Sequence, residues 1–116
     1  MATDPLLLDR MRNILTARKV TWTEKRMFGG DCFMVDDKML IGTYKGGIMA
    51  RIEPEEAEEL TKRPGANQMI HGGRPMTGYL FIEDEGFDQD HDLEFWIVKC
   101  LEFNPKAKSS KKKKKK

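Results

Sequence analysis

The chain has 116 residues, 34% of them charged, a formal net charge of +2 and two cysteines with no CxxC pattern. This length suits one domain with one small core and no disulfide framework. No stretch approaches the ~20 consecutive apolar residues of a membrane helix, and the N-terminus carries acids where a secretory signal has basic residues. Composition therefore excludes a membrane partner and predicts a cytoplasmic protein.

The charges divide the chain into two parts. Residues 105–116 hold eight lysines and no acid, which leaves 13 basic and 19 acidic residues in residues 1–104. A segment so rich in lysine cannot bury apolar surface. We therefore predict a folded acidic domain over residues 1–104 and a disordered basic tail over residues 105–116.

The first predicted element is a helix over residues 5–17. Asp4 followed by Pro5 is typical of a helix start, and three apolar residues recur at helical spacing, namely Leu8, Met11 and Leu15. The following stretch, KVTWTEKRMF, alternates β-branched or aromatic residues with polar ones. This pattern fits either a short strand or an extended approach to the next glycines.

Three apolar runs separated by turn residues predict an antiparallel meander. The runs cover residues 32–35, 38–44 and 48–52, and the turns are Asp36-Asp37 and Lys45-Gly46-Gly47. The connections are too short for helical crossovers. The strands must therefore run antiparallel.

The residue pattern after residue 52 predicts a short helix, two further strands and a final helix. Pro54 starts the short helix, which extends to about residue 62, and the strands cover residues 68–70 and 76–82. The final helix carries an apolar stripe of Leu93, Trp96, Ile97, Cys100 and Leu101. The predicted class is α+β, a single domain whose helices cover one face of a mainly antiparallel sheet.

The adjacent glycines Gly29 and Gly30 invite a comparison with phosphate-binding loops. Such loops need glycines spaced as in GxxxxGK[ST] or GxGxxG and a helix directly after them. Here a strand follows. The glycines are better explained as a bend, with a close backbone approach where the chain joins the sheet.

No metal, cofactor or catalytic residue is predicted. His71 and His91 have no cysteine near them in sequence, and no ligand spacing occurs. Cys32 and Cys100 lie in apolar runs and are predicted to be buried, although a histidine could still meet a thiol in space. Methionines are frequent in the strand region, and they could either fill the core or line a groove for a partner protein. They are Met27, Met34, Met39, Met49, Met69 and Met76.

The remaining candidates for binding are basic residues. Arg51 and Arg74 are flanked by apolar residues and glycines, and together with Lys38 they could hold a small anion, or could pair with acids of the domain. The tail lysines offer non-specific affinity for nucleic acid, because no aromatic residue is interleaved with them; a solubilising role is the alternative. These tail residues are Lys111, Lys112, Lys113, Lys114, Lys115 and Lys116.

The order of the motifs resembles one known family. The segments KRMFGGDCFMVDDKMLIG, GGIMARIEPEEAEEL and GGRPMTGYLFI, followed by a helix with a tryptophan, are similar to the N-terminal domain of the TfoX/Sxy bacterial competence regulators. The residues that carry this resemblance are Met27, Phe28, Gly29, Gly30, Lys38, Met39, Arg51, Gly73, Arg74, Pro75, Met76, Gly78 and Trp96.

The resemblance implies a compact α+β domain without established catalytic residues, part of a positive regulator of DNA-uptake genes. It implies a non-enzymatic regulatory or interaction domain that contacts another regulatory protein or nucleic acid. A stand-alone member is expected, since the second, helical domain of larger members does not follow. Asp37 and Thr77 depart from the family pattern. The alternative hypothesis is a module that binds a small ligand or anion through Arg51, Arg74 and the glycine turns. The third hypothesis is a thiol-dependent enzyme.

Overall fold

A computed structural model describes residues 5–27 and 29–106. The predictions on Asp4, on Phe28 and on the tail beyond Lys106 lie outside the described residues. The described elements are α1 (Pro5–Ala17), β1 (Thr23–Met27), β2 (Gly30–Val35), β3 (Lys38–Tyr44), β4 (Gly47–Arg51), α2 (Pro54–Leu60), β5 (Ala66–His71), β6 (Arg74–Ile82) and α3 (Asp90–Phe103), with short 3-10 helices at Asp84–Gly86 and Asn104–Lys106.

The six strands form one antiparallel sheet in the order β1-β2-β3-β4-β6-β5. The predicted α+β class with three helices is confirmed, and the predicted meander is β2, β3 and β4. Of the two alternatives for the stretch before the glycines, the strand is the one observed. It begins at Thr23, and Val20 and Trp22 ahead of it pack against the larger core. None of the helices in the described ranges has the length and apolarity needed to cross a bilayer.

The two predicted turns of the meander are confirmed, and the second joins Tyr44 to Gly47 through Lys45 and Gly46. Asp36 and Asp37 adopt φ of 57° and 64°, as a two-residue type I′ turn requires. Met27 pairs with Gly30 across the β1–β2 turn, where Gly29 has φ of 78°. A Cβ on Gly30 would overlap the carbonyl oxygen of Thr43. The two adjacent glycines therefore serve different needs, a left-handed turn and a close strand approach.

The helices pack against one face of the sheet and enclose the larger core. Helix α1 contributes Leu7, Met11 and Leu15, all at most 6% exposed. Helix α3 contributes Trp96, whose Nε1 donates a hydrogen bond to the carbonyl oxygen of Gly86 at 2.9 Å. The other buried members are Phe33, Leu40, Ile41, Ile48, Ala50, Ile52, Leu60, Ala66, Leu80, Ile82, Phe87, Leu93, Ile97 and Cys100.

The opposite face of the sheet encloses a second, sulfur-rich core. Its buried members are Cys32, Met34, Met39, Tyr44, Met49 and Met69, with Met27, Met76, Tyr79 and Phe81 packed around them. The side chains of Tyr44 in β3 and His71 in β5 meet at 3.2 Å, although two strands lie between these strands in the sheet. The sheet therefore curls over this face. Among the two roles considered for the methionines, core filling is confirmed.

Candidate functional site

The three basic candidates do not converge on one site. Lys38 Nζ donates to the carbonyl oxygen of Asn104 at 3.1 Å, just after α3. The Arg51 guanidinium lies 5.9 Å from the centre of the Phe103 ring, at the C-terminal end of the same helix. Arg74 is exposed in the β5–β6 hairpin, opposite His71. Lys38 and Arg51 thus both contact the end of α3, and Arg74 lies on another element.

The contacts of Lys38 and Arg51 have a clear structural use. The last carbonyl groups of a helix carry partial negative charge, so an ammonium group beside them is favourable. Arg51 also lies 5.5 Å from the ring centre of Tyr79, its register partner in β6. These contacts join the sheet to the end of α3. Anion binding by the three residues stays a prediction.

Two clefts of the described surface are rich in acids. One cleft of about 480 Å³ lies beside Lys45 and is bordered by Glu83, Asp84 and Glu85. Another, of about 230 Å³, lies between α2 and the end of α3 and is lined by Glu53, Glu55, Glu56, Glu102, Lys99, Phe103 and Lys106. Carboxylates at this density disfavour an anionic ligand. None of the three basic candidates lines either cleft.

Metal ligation has no cluster to support it in the described part of the chain. No three His, Cys, Asp or Glu side chains there are placed to share an ion. His91 is exposed and contacts Asp92 at 3.5 Å. His71 instead contacts Tyr44, as described above. The acids ahead of α3 lie in its first turn, where Asp90 binds Arg10 of α1 at 2.9 Å and thereby ties the two helices together.

Both thiols are buried, and their environments make them poor nucleophiles. Burial, with a smaller effect of the nearby Asp31 carboxylate, raises the pKa of Cys32 to about 11. Burial raises the pKa of Cys100 to about 12, although a hydrogen bond from the Arg51 backbone acts in the opposite direction. Reactive cysteines show the reverse, a lowered pKa and partial exposure. His71 contacts neither thiol in its described interactions.

We expect Cys32 to react slowly with iodoacetamide at pH 8. A pKa near 11 leaves about 100-fold less thiolate at that pH than an ordinary thiol has, and burial slows access further. Alkylation followed by mass spectrometry should therefore be at least about 100-fold slower in the folded protein than in urea. Cys100 provides the internal comparison and should be slower still. Rapid labelling of Cys32 in the native protein would instead revive a thiol-dependent activity.

The β1 strand is the most exposed regular element of the sheet. Its residues Thr23, Glu24, Lys25 and Arg26 are all exposed, and the strand lies at the end of the sheet order. On the helix side, Glu24 accepts two hydrogen bonds from Arg12 of α1, each of 2.9 Å, and this guanidinium lowers the pKa of Glu24. Sequence reasoning missed this edge. The alternation in TEKRM was a weak signal, and an edge can be recognised only once the order of the strands is known.

Several of the described residues that carry the family resemblance have structural roles in this fold. Gly73 and Gly78 adopt φ of 78° and 84°. Met39 and Met76 belong to the sulfur-rich core, and Trp96 belongs to the larger one. The resemblance is therefore a signature of the fold more than of a chemical site.

Comparison with known proteins agrees with these features. A search of curated proteins finds no match. The family model of the TfoX N-terminal domain matches residues 15–104, which covers the sheet, α2, α3 and the end of α1. With most of its length matched, the chain belongs to the TfoX N-terminal domain family.

Proposed function

We propose that this chain is a non-catalytic interaction domain that acts in gene regulation by contacting another protein. Family membership supports the regulatory setting. The observation that carries the proposal is the β1 edge, where four consecutive exposed residues lie on a strand that no other described strand pairs on its outer side. Such edges pair with extended segments of other chains.

We propose a non-catalytic role because the thiols are buried and two of the three basic candidates already have contacts within the domain. The two thiols have raised pKa values in separate cores, and Lys38 and Arg51 are engaged at the end of α3. Two unpaired thiols also support the expected cytoplasmic location, since disulfides are rare there.

A pair of matched charge reversals tests contact at the β1 edge. Arg26→Glu reverses a charge on β1, and Arg74→Glu makes the same change on the hairpin at the opposite edge. We expect immobilised full-length protein to retain, from an extract of its own cells, a specific protein chain that Arg26→Glu loses and Arg74→Glu keeps. Equal retention by all three proteins, measured by quantitative mass spectrometry, would contradict a partner at this edge.

The basic tail supports a second contact, with nucleic acid. Six consecutive lysines can neutralise phosphates without reading sequence. Replacing Lys111–Lys116 by serines should remove a salt-sensitive DNA mobility shift. Where residual binding can still be measured at low salt, the steepness of log affinity against log salt should fall by up to about 5. Binding that the replacement does not change would contradict the tail's role. A lack of binding by wild type at low salt would exclude nucleic acid as a partner.

A further inference from the structure

The two edges of the sheet differ in how they are protected. The β5 edge is irregular, with a register shift between Gln68 and Ile70. The Gln68 side chain also donates to the backbone carbonyl of Met76 at 2.8 Å. Bulges of this kind are how natural proteins block pairing at an edge. By contrast, β1 pairs with β2 over five consecutive residues without a shift.

The outward backbone groups of β1 follow from its register. The N–H of Asp31 in β2 points toward β3, where it donates to Thr43 Oγ1 at 2.9 Å. Backbone groups alternate along a strand, so Cys32 faces β1 and bonds its register partner Lys25. Glu24 and Arg26, on either side of Lys25, therefore direct their N–H and C=O groups away from the sheet.

These two outward residues make the edge complementary to itself. In an antiparallel pair of β1 strands with the two-fold axis at Lys25, Glu24 of one chain lies opposite Arg26 of the other. The pair occurs twice, and both members lie on the helix side of the extended sheet. They are also the residues whose backbone groups can bond across the contact. Arg26 can turn toward the contact, because its side chain is 72% exposed and its ion pair with Asp31 is a long one, of 3.7 Å. Glu24 keeps its two hydrogen bonds from Arg12 in its own chain and has further acceptor capacity on its two oxygens.

We propose that the occupant of the β1 edge is a second copy of this chain, paired antiparallel through Glu24 and Arg26. The inference rests on the proposed function and names the partner at the same edge. The two Lys25 side chains meet at the axis on the opposite face and oppose the contact by charge repulsion. The dimer is therefore a weak one, formed by short strands, and removing this charge strengthens it.

Two complementary single variants test the dimer. Arg26→Glu places Glu24 opposite a glutamate, and Glu24→Arg places Arg26 opposite an arginine, so each variant alone should be a monomer. Mixed together, they restore both opposite-charge pairs and should form a heterodimer. Sedimentation equilibrium of the full chain at up to about 1 mM, the concentration range of weak contacts, measures the association state of the wild type, of each variant alone and of the mixture. Lys25→Thr should tighten the wild-type dimer, and Arg74→Glu, the matched control at the other edge, should leave it unchanged.

The outcomes separate the inference from the proposed function. A wild-type chain that stays monomeric at about 1 mM overturns the dimer, as does a mixture of the two variants that fails to associate. If the chain is monomeric and Arg26→Glu still loses a different cell protein, the edge binds that protein and the proposed function stands. Dimerisation of wild type that neither variant changes also overturns the inference, because the contact then lies elsewhere. Circular dichroism of each variant verifies that it folds.

Discussion

Replacing Trp96 by alanine is expected to lower the free energy of unfolding by about 3–5 kcal/mol. The side chain is 1% exposed and is among the largest fully buried groups of the domain. Its ring packs edge-on against Phe95 with 5.1 Å between ring centres, and its Nε1 bonds the Gly86 carbonyl. Alanine leaves a large cavity and an unpaired buried carbonyl, which are separate costs. Urea denaturation followed by circular dichroism measures the change.

Two further substitutions separate those costs. Trp96→Phe keeps much of the volume but loses the bond to Gly86, so it should cost about 1–3 kcal/mol. Trp22→Ala removes a tryptophan that is only partly buried, so its cost should be well below that of Trp96→Ala. A loss below about 1 kcal/mol for Trp96→Ala would show that α3 is not anchored by this residue.

The second large effect is expected from Gly30→Ala, at about 3 kcal/mol of lost stability. Its added Cβ would meet the backbone carbonyl group and the side-chain oxygen of Thr43 in β3. The carbonyl group belongs to a paired strand, so it cannot move aside without breaking the sheet. The same region holds the bond from the Asp31 N–H to Thr43 Oγ1. The substitution should therefore also disturb the β2–β3 pairing, visible as faster hydrogen exchange in these strands.

The neighbouring glycine is the matched control. Gly29 has φ of 78° and nothing within 4 Å of an added Cβ, so Gly29→Ala meets conformational strain alone. That strain costs about 1–2 kcal/mol. Equal losses for the two variants would contradict the distinct roles assigned to them, as would a larger loss for Gly29→Ala.

Local signals predicted the elements of this fold well. The bounds of α1 agree with the predicted helix, and the turn at Asp36 and Asp37 lies where two acids interrupt apolar runs. Hairpin-length connections also predicted the antiparallel sheet. These features depend on residues close together in the chain, so spacing and turn chemistry suffice to indicate them.

The candidate site could be predicted only in part. The sequence predicts Lys38, Arg51 and Arg74 as candidates for binding, yet the contact of Lys38 with Asn104 joins residues 66 positions apart. No local pattern encodes such a contact. The sequence likewise placed Cys32 in an apolar run, while the rise of its pKa depends on how the second core closes around it.

The sequence by itself determined the class of the domain, the position of its elements, the acidic charge of residues 1–104 and the family signature. Only the tertiary structure decided that the sheet curls over a second core, so that Tyr44 meets His71, and that β1 is left as a regular open edge. The reason is that strand order and curvature arise from contacts between distant segments. Periodicity identifies a strand, but it does not identify the strand's neighbours.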